Sequence, residues 1–226
     1  MTSIPLSNSV SQTDFLKSIK DELFLLYQDA FLIDLFKYKV TNDSSCKSAP
    51  ITIRSNKAII LNCDPTSPNQ IAFQLSHELC HACIPKSVPN NLRWLEESFA
   101  VLASFWFPRK LSQINFCEYG KYFCKSFKCE IPRFQMSSPP LNDNDLKELE
   151  SGSGTRNFND YGNYYKIAKL LLPLIRNNPE IWKIIPHLCD IQPNLKFSES
   201  LENLENLVSS DIRNLVIIIE GAFLIR

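Results

Sequence analysis

A chain of 226 residues that is 44% apolar and 21% charged is long enough to bury a sizeable core, and its composition excludes wholesale disorder, collagen-like repetition and coiled coil. Twenty-four basic side chains balance 24 acidic ones, so net charge gives no reason to expect nucleic acid or an anionic membrane as partner. No basic leader precedes an apolar run and no stretch approaches the ~20 apolar residues of a membrane span, which predicts a cytosolic protein with reduced thiols despite its 8 cysteines.

From Ser11 to Tyr27 the apolar positions Phe15, Leu16, Ile19, Leu23 and Leu26 recur at helical spacing and predict an opening helix. Phe31 to Val40 and Ile51 to Cys63 then turn β-branched and aromatic, with Ser55-Asn56 as a hairpin turn between two strands of a small sheet. Asp64-Pro65-Thr66-Ser67-Pro68 breaks the chain, and Ser67 followed by proline reads as an N-cap with proline at the first helical position. The helix so begun runs through His77 and His81 to Ile84, where Pro85 disfavours its continuation.

A second, strongly apolar helix is expected from about Asn91 to Phe107, closed by Pro108. Beyond it the pattern stays mostly helical, interrupted at MSSPPLNDND and at SGSGT. Helices are expected again at Tyr164–Arg176, about Pro179–Cys189, and twice between Ser198 and the C-terminus. Cys117, Cys124 and Cys129 lack the spacing of a zinc knuckle, and Cys80 and Cys83 three apart on a helix are weak evidence of metal or redox chemistry. The acids of NDNDLKELE read as a solvated face, and His187 as a structural histidine.

His77-Glu78-Leu79-Cys80-His81 reads H-E-x-x-H. Residues four apart on a helix share a face, so two imidazoles can grip one ion while Glu78 stands beside them to take a proton from water. Leu75 and Leu79 fall on the opposite side and would pack. A third ligand is sought in Trp94-Leu95-Glu96-Glu97-Ser98-Phe99-Ala100, where Glu96 and Glu97 compete.

HELCH followed by WLEESFA resembles the gluzincin metallopeptidases, in particular the W-L-x-E-x-F-A segment of the aminopeptidase-like gluzincins. The resemblance implies Glu97 as third zinc ligand. Tyr164-Tyr165-Lys166-Ile167-Ala168 is similar to the Y-x-K-G-A segment of the same proteins, with Ile167 in place of glycine, and implies that Tyr164 braces the oxyanion, with Tyr161 and Tyr165 as alternatives. The G-x-M-E-N strand that anchors a substrate amine has no counterpart; KAIILNCD stands in its place and is expected to be an edge strand open to an extended peptide.

The expectation is thus one α+β, zincin-like domain over 1–226, with its sheet part about 1–90 and its helical part about 91–226. Its implied activity is Zn2+-dependent hydrolysis of a peptide or protein substrate, with His77, His81 and Glu97 as metal ligands and Glu78 and Tyr164 as catalytic groups. The alternative is a zinc-containing regulatory or partner-binding module without turnover. Endo- versus exo-cleavage and oligomeric state stay open.

Overall fold

A computed structural model describes residues 12–45, 49–114, 140–151 and 161–224. The fold is mixed α and β, mostly helical, with one three-stranded sheet. The chain gathers into two compact units, one drawn from Met1–Ala82 and Ala103–Arg133, the other from Cys83–Leu102 and Phe134–Arg226.

In the first unit, α1 (Gln12–Phe31) runs one turn further than the apolar spacing predicts. Tyr27 and Phe31, four apart, stack with ring centroids 5.2 Å from each other, and Phe31 is buried, so the last turn is held by packing. The helix stops at Leu32, whose φ of 57° is left-handed. Only the end of the Phe31–Val40 segment is therefore strand: β1 is Lys39–Asn42.

The hairpin is present. β2 (Ile51–Ile53) pairs antiparallel with β3 (Ala58–Leu61) across a short 3-10 turn at Arg54–Asn56, and Lys57 absorbs the reversal at φ 48°. The sheet order is β1-β3-β2, with β1 parallel to β3. KAIILNCD thus contributes the central strand, not an edge. The sequence shows it as the most apolar of the three, which is the property of a strand flanked on both sides. β1 and β2 are the edges.

α2 (Pro68–Ala82) packs on α1, β2 and β3. Its start follows the proline logic: the Ser67 carbonyl accepts the first helical bond from Ile71 at 3.1 Å, while Asp64 Oδ1 accepts from the Thr66 amide and hydroxyl at 2.8 and 2.7 Å. Those bonds to Thr66 hold the exposed Asp64 carboxyl below its ordinary range. The Gln74 side chain pairs with Asn62 through both its oxygen and its nitrogen, at 3.1 and 2.8 Å, tying the end of β3 to α2.

α3 (Arg93–Leu111) contributes its first half to the second unit and its remainder to the first. Pro108 lies inside it, so the expected stop is displaced by a turn. Proline's φ is helical, and at this position it forfeits one backbone bond near the helix end, while the Ser112 amide still bonds the Pro108 carbonyl at 2.9 Å.

The second unit continues with α4 (Asp143–Ser151), α5 (Tyr161–Asn177), a run of 3-10 turns at Pro179–Asp190, α6 (Phe197–Leu207) and α7 (Ser210–Leu224). The predicted helix at Pro179–Cys189 takes 3-10 geometry, with Pro186 within it. Trp94 of α3 packs edge-on against Phe197 of α6 and Phe223 of α7, at 4.7 and 6.0 Å between centroids, and Phe99 lies 5.9 Å from Trp182. The acids of α4 are less solvated than expected. Asp145 pairs with Lys166 at 2.9 Å, and Glu150 accepts from the Ser198 amide and hydroxyl at 3.0 and 2.5 Å.

Among the described residues no helix is long and apolar enough to cross a membrane. Cys63, Cys80, Cys83 and Cys189 stand as thiols. Cys117, Cys124, Cys129 and the SGSG segment's glycines lie outside the described residues.

Candidate metal centre

His77 and His81 are one turn apart on α2, and from Leu75 to Ile84 they alone are not buried. Leu75 and Leu79, on the other side, are fully buried. The helix therefore packs around most of its circumference and opens at the two imidazoles. Their Nε2 atoms stand 3.2 Å apart, too close for two cations and suited to a shared partner that accepts two nitrogen lone pairs.

The helix backbone under these side chains is fixed from four directions within the first unit. Tyr27 on α1 donates to the Ser76 carbonyl, Thr52 on β2 to that of Glu78 at 2.8 Å, Arg54 Nε to that of His81 at 3.0 Å, and Tyr38 to that of Ala82 at 3.3 Å. The last two carbonyls belong to the final turn, whose acceptors have no intrahelical donor to meet, so Arg54 and Tyr38 act as side-chain caps.

Glu78 is buried, 4% exposed, and its Oε2 lies 2.8 Å from the Thr52 hydroxyl. Thr52 pairs with Ile59 of the central strand and shares its face of the sheet, which explains how a strand residue reaches the carboxylate. Ser104 of α3, fully buried, brings its Oγ to 3.4 Å from His77 Nδ1. Phe105 meets Phe73 edge-on at 5.2 Å beside it.

Glu97 also belongs to α3. Between Trp94 and Phe105 it is the one residue not buried, so this stretch of helix too is enclosed around its circumference except at one carboxylate. Glu97 and Ser104 are seven apart, two turns along one face of a continuous helix. Among the described residues His77, His81 and Glu97 are the side chains able to serve together on a metal ion. Two imidazole nitrogens and one carboxylate oxygen form the donor set zinc takes when a fourth position is left for water or substrate.

Glu96, the competing ligand, is not turned to solvent. It is 6% exposed. Tyr164 is half-buried in the first turn of α5, ahead of buried Ile167 and Ala168, and Tyr165 beside it is half-buried too. His187 makes an i,i+3 contact with Asp190, Nδ1 to Oδ2 3.7 Å.

Thr52, Arg54 and Ser104 escaped the sequence reading. The alternation of Ile51-Thr52-Ile53 beside a hairpin was the available signal for Thr52, and the seven-residue step from Glu97 was the one for Ser104.

Comparison with family models, with curated proteins and with solved structures returned no match. The chemistry of the site therefore rests on this chain's own residues.

Proposed function

We propose that the protein is a zinc-dependent metallopeptidase of gluzincin type, with a zincin-like arrangement of α2 and α3. One observation carries the reading: from Leu75 to Ile84 the chain is buried except at His77 and His81, whose Nε2 atoms converge to 3.2 Å, with a buried glutamate between them in sequence. A pair of core histidines has no need of that opening, and a site that holds metal and admits substrate does.

His77, His81 and Glu97 are the proposed ligands, all three half-exposed. A zinc ion held by them supplies positive charge that polarises a scissile carbonyl and acidifies water. Glu78 takes the proton of the attacking water and later passes it to the leaving amine nitrogen. The Thr52 hydroxyl occupies Oε2 and so leaves Oε1 for that water. Tyr164 is assigned to the oxyanion, where a phenol stabilises charge that develops only in the transition state. That assignment derives from the YYKIA resemblance alone. The proposed substrate is a peptide or protein.

Zinc content and peptide hydrolysis test the reading together. Wild type should hold one equivalent of zinc and cleave a denatured protein such as casein, His77→Ala and Glu97→Ala should lose the metal, and Glu78→Gln should keep it while losing hydrolysis. Folded wild type without zinc ends the proposal; one equivalent of zinc, with no difference between wild type and Glu78→Gln on such substrates, supports a metal-binding module without turnover instead.

A further inference from the structure

The opening of α2 leaves one question of proton placement. A histidine ligates metal through a bare nitrogen, so if Nε2 faces the shared centre the ring proton must sit on Nδ1, and there it needs an acceptor. At His77 Nδ1 the Ser104 hydroxyl oxygen is a neighbour, 3.4 Å away and belonging to a residue fully buried in α3.

We infer that Ser104 is a positioning residue for the metal centre: its Oγ accepts the Nδ1 proton of His77, fixing the ring's tautomer and direction so that Nε2 presents its lone pair beside that of His81. The inference rests on the metal reading and adds to it. It also gives α3 two tasks on one face, since Ser104 stands two turns from the proposed ligand Glu97 on the same helix. A ligand and an orienting group fixed to one rigid element keep their mutual spacing without help from loops.

The neighbouring residues agree with a required oxygen at this point. Ala103 and Phe105 are buried beside Ser104, and Ala100, Val101 and Leu102 fill the preceding turn. The His77 imidazole is one polar group within reach of that buried hydroxyl.

The experiment is a zinc affinity measurement by chelator competition on wild type, Ser104→Ala and, as a control, Ser112→Ala, a buried serine whose hydroxyl donates to the Arg109 carbonyl at 2.6 Å. Loss of an outer-sphere partner of this kind weakens metal binding by about 10–100-fold. That loss is expected for Ser104→Ala, with Ser112→Ala unchanged. A second readout needs neither variant: nitrogen-15 NMR of the metal-free wild type should show His77 as the Nδ1–H tautomer. Zinc affinity equal in wild type and Ser104→Ala, or an Nε2–H tautomer in wild type, overturns the inference and leaves the metal reading standing. Folded wild type that takes up no zinc overturns both.

Discussion

The Thr52 hydroxyl lies 2.8 Å from Glu78 Oε2 and 2.8 Å from the carbonyl oxygen of the same residue. One proton serves two acceptors, and the ionised carboxylate is the stronger. A strand residue thus holds the side chain proposed as general base, while the same contact steadies the helix turn beneath it.

Thr52→Val keeps the shape and removes the donor. A hydrogen bond to a charged group contributes about 1.5–3 kcal/mol, so kcat should fall about ten- to hundredfold if the bond serves Glu78 in the transition state. Zinc stoichiometry should be unchanged and Thr52→Ser should restore turnover. Equal kcat in wild type and Thr52→Val would restrict Thr52 to holding the helix.

The legible part of this protein was local. HELCH, WLEES, the proline-limited start of α2 and the Ile51–Leu61 hairpin all announce themselves through spacing and turn chemistry within short windows. What was not legible depends on partners far along the chain. Periodicity cannot say that β1 returns parallel to β3 and makes it central, because strand order is fixed by tertiary pairing. Nor can it say that Thr52 reaches Glu78 or that Ser104 meets His77, contacts spanning 26 and 27 residues. Nor can it say that Glu96 is buried, because that is decided by what surrounds α3 and not by the residue's own type.

Arg54 tests the capping of α2. Its Nε donates to the His81 carbonyl at 3.0 Å, so Arg54→Ala leaves a last-turn acceptor without that donor. A stability loss of about 1 kcal/mol is expected. Urea denaturation measures it as a lower midpoint at unchanged slope, and an unchanged midpoint refutes the capping role.

Cys63 predicts a pH effect. Burial raises its thiol from 9.0 to about 11, the backbone contact opposing and Asp64 reinforcing, and its Sγ donates to Asn42 Oδ1 at 3.3 Å. The native state therefore holds this proton more tightly than the unfolded chain. Its contribution to stability is fully present below about 9, and is lost as pH climbs from there to about 11. Alkylation at pH 8 should spare Cys63 in native protein and label it in urea. Rapid labelling in native protein, located by peptide mapping, would contradict the shift.

The two adjacent glutamates of α3 separate by isosteric substitution. Glu97→Gln keeps the volume and removes the anionic oxygen proposed as ligand, so zinc affinity should fall by more than the roughly 10–100-fold that an outer-sphere partner costs. Glu96 is buried and lies about 100° around the helix from Glu97, which directs it to a different neighbourhood. Glu96→Gln should keep one equivalent of zinc at close to wild-type affinity, and any cost should appear in thermal stability. Chelator competition and melting curves on the two variants decide between them. Zinc lost from Glu96→Gln and retained by Glu97→Gln would reverse the ligand assignment, and with it the register on which the gluzincin resemblance depends.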